Sequence, residues 1–325
     1  MRLSRRRFLH ASSTVLVAAA SPRLTWAQSY PTRPVRIIVP FGAGGPTDLA
    51  ARIIAQKLSD QFGQQFYVEN IGGAGGNVGT GQASRAAPDG YTILVAAPSY
   101  AVNPTLFEKV PYDPKKSFDA VTIAATAPTV LTVHPSVSAR TVRELVDLIK
   151  ANPGKFSYAS PGTGTPPHLL GELFRLSLKL DIVHVPFKSG GLAIGSALAG
   201  HTPISFGALP PAVPHVRDGK LRALAVTSKK ASPALPGVQT IADAGYPDIA
   251  ADIWTAVLVP AGTPKDIVGS LQREIAKLVA LPDVKQRMGA LGYQPVGNTS
   301  DECAAHIEAE AAKWAKVIRE AGIRA

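Results

Sequence analysis

The chain has 325 residues, 46% hydrophobic and 18% charged, with 34 Lys plus Arg against 23 Asp plus Glu and a net charge of +11. At about 150 residues per domain this is enough chain for two domains with cores of their own, and the composition excludes a disordered or fibrous protein. The single cysteine, Cys303, excludes an internal disulfide framework and any cysteine-clustered metal site.

The first feature along the chain is an address. Ser4-Arg5-Arg6-Arg7-Phe8-Leu9 precedes a small and apolar run over 11–20, and Thr25-Trp26-Ala27 places small residues at the first and third positions of a cleavage site. A charged start, a short apolar stretch and such a site make residues 1–27 a signal peptide, cleaved near Ala27 and too short to span a bilayer. The arginines before Phe8-Leu9 resemble a twin-arginine export signal. Removing this segment leaves 29 basic and 23 acidic residues, a net charge of +6. That excess is spread over isolated pairs such as Lys115-Lys116 and Lys229-Lys230, which is no nucleic-acid footprint. A soluble, exported protein is expected.

Strands and helices then alternate. An apolar strand at 35–39 runs into Pro40-Phe41-Gly42-Ala43-Gly44-Gly45-Pro46-Thr47-Asp48, after which Leu49, Ile53, Ile54, Leu58 and Phe62 recur at helical spacing until Gly63. A second strand is predicted at 65–69, a glycine-rich turn at 70–81, and a third strand at 91–97 after Pro88-Asp89-Gly90. Residues 120–134 form one long extended passage. The pattern then restarts with a helix at 141–151, a strand at 156–160, and a helix carrying Leu169, Leu173, Leu176 and Leu180. Strands follow at 182–187, 204–207, 221–227 and 253–260, with three helical segments filling the rest. Short apolar strands separated by helices imply parallel pairing. The expected fold is α/β, with two lobes joined by two crossing strands and a ligand cleft between them.

The loops carry the chemistry. Gly42, Gly44 and Gly45 let backbone amides approach a ligand, Pro46 fits a first helical turn, and Thr47 and Asp48 offer capping groups. Ser160-Pro161-Gly162-Thr163-Gly164-Thr165-Pro166-Pro167 repeats the device, with Thr165 in the capping position. Free amides at a helix start favour a carboxylate or phosphate, so two such termini, one in each lobe, could hold the two ends of a small dicarboxylate. Asp48 is either a helix-terminal charge or an acceptor for a ligand amine, hydroxyl or water. His168 either touches the ligand or bonds its own loop. Dinucleotide binding, with Glu69 on a ribose, fails on spacing, because Thr47 and Pro167 stand where the third glycine belongs. There is no phosphate-cradling G-x-x-x-x-G-K-[ST] loop, no G-x-S-x-G elbow and no H-E-x-x-H helix, and the remaining histidines show no metal-ligand spacing. Cys303, inside a C-terminal helix, reads as a core thiol.

At these residues the chain resembles a known family. Pro40 to Asp48 is similar to the Pro-Phe-x-x-Gly-Gly-x-Thr-Asp signature of the Bug-type solute receptors of tripartite tricarboxylate transporters. Glu69-Asn70 with Gly73-Ala74-Gly75-Gly76-Asn77, Pro88-Asp89-Gly90-Tyr91, Ser160 to Thr165 with His168-Leu169, and Val185-Pro186-Phe187-Lys188 resemble the same family. So do Leu221-Arg222-Ala223-Leu224-Ala225-Val226-Thr227 and Pro260-Ala261-Gly262-Thr263-Pro264, which extends the likeness over the whole mature chain.

The resemblance implies a periplasmic binding protein of the type II-like, two-lobed fold that closes on a small carboxylate and passes it to membrane transport subunits. It implies a ligand site of Phe41, Ala43, Gly44, Gly45, Thr47 and Asp48 facing Ser160, Gly162, Thr163, Gly164, Thr165 and His168, with Ser99 and Ala208 toward the variable end. The chain departs from the family pattern at Leu192-Ala193, Ser196 and Phe206-Gly207, and Gly207-Ala208 leaves room for a bulkier or more apolar ligand. The expectations are a non-enzymatic, monomeric receptor without cofactor, metal or nucleic-acid partner. Residues 28–126 and 253–325 are expected to form one lobe and 127–252 the other. The bound acid is di- or tricarboxylic, amino or aromatic. An exported α/β enzyme acting on an anion, or a protein presenting its ligand to a sensor, stays open as the alternative.

Overall fold

The chain places short buried strands before amphipathic helices, and this alternation organises the computed structural model, which describes residues 30–228 and 230–324. The export segment lies outside the described residues. In order, β1 (Val35–Val39), α1 (Pro46–Phe62), β2 (Phe66–Asn70), α2 (Asn77–Ser84), β3 (Thr92–Ala96) and α3 (Ser99–Leu106) precede the long strand β4 (Phe118–Val133). Then come α4 (Val142–Ala151), β5 (Phe156–Ser160), α5 (Pro166–Ser177), β6 (Ile182–Pro186), α6 (Gly190–Leu198), β7 (Ile204–Ala208), α7 (Leu209–Arg217) and β8 (Arg222–Val226). The chain returns through β9 (Asp252–Pro260) to α8 (Lys265–Ala280), α9 (Pro282–Ala290), β10 (Gln294–Pro295) and α10 (Ser300–Ala321).

Helices α3, α6 and α7 occupy stretches where periodicity predicts no element, and α2 begins inside the predicted turn and runs beyond it. Their composition hides them: α3 contains Pro104, α6 is glycine-rich and α7 holds three prolines. Tertiary packing overrides these weak propensities.

The strands line up in the order β2-β1-β3-β9-β4-β7-β5-β6, with β8 and β10 attached to β4. β1 is parallel to β2 and β3, and β5 is parallel to β6 and β7, as crossover helices require. β4 and β9 are antiparallel to each other and cross between the two halves. β4 pairs with β9 from Phe118 to Pro128, then turns to β7 from Thr129 onward. Pro128, which has no N–H to give a ladder, sits where β4 leaves one sheet for the next. The result is a two-lobed α/β fold.

One core gathers Ile38, Leu94, Tyr100, Trp254 and Leu258, the other Leu131, Tyr158, Leu169, Phe174 and Phe206. α10 enters both, with Cys303 and Ile307 in the first and Trp314, Val317 and Ile318 in the second. Burial pushes the Cys303 thiol up to about 12, which makes it an inert core group.

The two crossing segments meet on one hydroxyl. Thr227 Oγ1 accepts from the Thr129 amide at 3.0 Å and donates to the Ala251 carbonyl at 2.7 Å. Thr227 N donates to Thr129 O, and Ala251 N donates to Thr227 O. Thr227→Val leaves a buried N–H and C=O without partners and should cost about 1–3 kcal/mol of stability, measured by denaturant titration.

Candidate functional site

Two strand-to-helix loops face one cavity, and each is held by the same device. In the first loop Gly44 adopts φ +78°, left-handed backbone that suits glycine, and its N–H points back at the helix it precedes. That N–H donates to Asp48 Oδ2 at 2.8 Å. Asp48 is buried, and Arg52 Nε donates to the same oxygen at 3.0 Å. Asn70, the last residue of β2, donates to Asp48 Oδ1 at 2.9 Å and to the Phe41 carbonyl at 3.1 Å, while accepting from Arg52. Burial alone would raise the Asp48 pKa, but the bonds from Arg52, the Gly44 amide and Asn70 outweigh it and hold the carboxyl below its ordinary value.

In the second loop Gly164 adopts φ +76° and donates its N–H to His168 Nδ1 at 2.9 Å. A backbone donor on Nδ1 leaves the imidazole neutral with its proton on Nε2. The His168 ring stacks on His184 at 3.8 Å. His184 Nε2 lies 2.7 Å from Ser160 Oγ, which also accepts from the Gly162 amide at 3.2 Å. Below the pair, Tyr158 donates to Glu172 Oε1 at 2.7 Å, and Arg175 pairs with Glu172 at 2.7 Å. Burial drives the pKa of both histidines down to about 4.

These bonds divert the capping groups from the helix starts. Gly45, the N-cap of α1, has no side chain to offer. Thr165 holds the N-cap position of α5, but its hydroxyl donates to the Gly162 carbonyl at 2.7 Å instead of accepting from the first turn. The expected caps from Asp48 and Thr165 are therefore used inside the loops. Prolines fill the first helical position in α1 and the first two in α5, as the sequence predicts for the first turn.

The cavity has a volume of about 330 Å³. From the first loop come Phe41, Gly45, Pro46 and Thr47, and from the second Pro161, Thr163, Gly164, Thr165, Pro166 and Pro167. Gly75, Ala97, Ser99, Asn103, Leu106, Phe107, Ala208 and Ile253 complete the wall. Of the residues singled out in the sequence, Phe41, Gly45, Thr47, Ser99, Thr163, Gly164, Thr165 and Ala208 thus come together. Ala43, Gly44, Asp48, Ser160, Gly162 and His168 stand outside this wall. Gly44, Asp48, Ser160, Gly162 and His168 brace the loops by the bonds above, and Ala43 is exposed.

The sequence reading missed Asn70 as a brace, His184, and, beyond Ser99, the wall given by α3 and its neighbours. Asn103 is buried with its amide donating to Gly75 O and Asn77 Oδ1, and Leu106 packs on Gly164 across the cavity. A signal for the braces was present, since an acceptor stands four residues after Gly44 and after Gly164.

The profile of the tripartite tricarboxylate transporter family receptor matches residues 50–323. The chain belongs to that family. It is 37% identical over 300 residues to protein BugT of Bordetella pertussis, covering 92% of each chain. Among solved structures it resembles a periplasmic transporter at 40% identity and a TM-score of 0.82, covering 91% of this chain and 99% of that one. It also resembles R. palustris Rpa4515, solved with adipate, at 33% identity and a TM-score of 0.82 over the same shares. No helix among the described residues of this tripartite tricarboxylate transporter receptor is long and apolar enough to cross a membrane.

The histidine pair gives the receptor a defined acid sensitivity. Both imidazoles are neutral in the fold down to about 4, whereas the unfolded chain protonates them from the ordinary value of 6.5. Their contribution is fully present above that ordinary value and is lost as pH falls toward the folded one, by up to about 1.4 kcal/mol per pH unit per imidazole. Denaturant titrations from pH 7 to pH 4.5 should show this decline, and His184→Gln should flatten part of it.

Proposed function

We propose that this receptor captures a small carboxylate between its lobes in the periplasm, as a monomer and without converting it, and hands it to the membrane subunits of a tripartite transporter. The observation that carries this reading is the opening of two helix starts, one from each lobe, onto one cavity with neither start capped by a side chain. Each start carries about half a positive charge, and the Thr47 and Thr163 hydroxyls of the two loops line the same cavity as donors. One carboxylate is bound here by the first-turn amides that the prolines leave, those of Thr47, Asp48 and His168, and by these hydroxyls. The Gly44 and Gly164 amides are committed to Asp48 and His168, and hold the loops instead. The adipate bound by Rpa4515 supports a carboxylate as the ligand class.

The lobes are 28–126 with 253–325, and 127–252, the export segment being removed near Ala27. The change of partner along β4 between Pro128 and Thr129 supports that division, with α10 tied to both cores. Closure swings the loops together, and ligand binding favours the closed state by its differential affinity. The serine–histidine pair that the enzyme alternative would need, Ser160 with His184, does not serve it. Ser160 is fully buried and its hydroxyl is engaged within the loop.

A carboxylate ligand should raise the melting temperature of the purified protein. Thr47→Val combined with Thr163→Val should weaken its binding by about 100-fold or more, since two charge-assisted hydrogen bonds are lost, and leave the unliganded melting temperature unchanged. If no carboxylate raises the melting temperature, the reading is lost.

A further inference from the structure

A wall that binds a charge at one place has to tolerate whatever the rest of the ligand presents to it. Among the described residues lining the cavity there is no charged side chain. The nearby Arg52 is committed to Asp48 and Asn70. Outside the two loops the wall is Ala97, Leu106, Phe107, Ala208 and Ile253 with Gly75, and its polar members are Ser99 and Asn103. Both amide hydrogens of Asn103 already go to Gly75 and Asn77. A second carboxylate would therefore meet alkyl and aromatic carbon, the Ser99 hydroxyl and the uncapped starts of the short helices α3 and α7, the latter with prolines at its second and third positions, and no cation, an arrangement in which burial of charge outweighs what these few donors return. The same wall rewards a hydrocarbon body, and about 330 Å³ lies within the range of pockets that enclose small organic ligands.

We propose that the ligand is a monocarboxylate with an uncharged hydrocarbon body, an aromatic or branched aliphatic acid, held by its carboxylate at the two helix starts and by its body against Leu106, Phe107, Ala208 and Ile253. The proposal rests on the carboxylate-receptor reading and narrows it.

Isothermal titration of the purified protein with benzoate, phenylacetate and 4-methylpentanoate, and with adipate, malate and citrate, tests it. The monocarboxylates should bind at least about 100-fold more tightly than any of the polycarboxylates, and benzamide, which keeps the ring and removes the charge, should not compete. Ala208→Lys, which places a cation on the wall, should raise adipate affinity by about 10-fold in a protein that melts as the parent does. Adipate or citrate binding as tightly as the monocarboxylates in the parent protein overturns the proposal and leaves the receptor reading standing. Binding of none of the six acids overturns both.

Discussion

Each loop that faces the cavity depends on one hydrogen bond, from the N–H of a left-handed glycine to a side chain four residues later. In the first lobe the acceptor is the Asp48 carboxylate, and in the second it is the His168 imidazole. Two different chemistries thus produce one geometry. The bond fixes a loop that glycine would otherwise leave mobile, and it occupies the third helical residue of α1 and α5, the residue that would otherwise turn back on the helix start. With Thr165 also turned inward to Gly162, the first-turn amides keep their capacity for an outside anion. A loop that satisfied its own helix would be more stable and would bind nothing.

The braces differ in what supports them. Asp48 draws on Arg52 and Asn70, so a charge is buried next to its counter-charge and the loop is anchored to β2. His168 draws on a ring stack with His184, and through His184 on Ser160 at the end of β5. The second arrangement works only while the imidazole is neutral. Leu106 joins the two sides, because a helix of the first lobe sets an aliphatic side chain on the bare backbone of Gly164, where any Cβ would collide with it.

Much of this was legible in the sequence. The apolar spacing of Leu49, Ile53, Ile54 and Leu58 marks α1, the uninterrupted run at 120–134 marks a strand buried on both faces, and the glycine-proline loops mark the helix starts. The family resemblance read at Pro40 to Asp48 agrees with the family to which the chain belongs. The amides of Gly44 and Gly164 were legible as special positions, but where their hydrogens go depends on a side chain rotating back over the loop, which no periodicity encodes. The wall from α3 was illegible for another reason. Pro104 and Asn103 read as breakers, yet Asn103 is satisfied only by Gly75 and Asn77, residues far away along the chain. Helices whose polar residues find distant partners lose their sequence signature.

Because Trp314, Val317 and Ile318 complete a core whose other members begin at Val102 and Leu106, the second lobe is unfinished until α10 has been made. Synthesis runs from the N-terminus, so Leu131, Tyr158 and Phe174 leave the ribosome long before Trp314, which belongs to the same core. The chain must therefore hold that apolar surface in reserve during translation and close it only once α10 is in place.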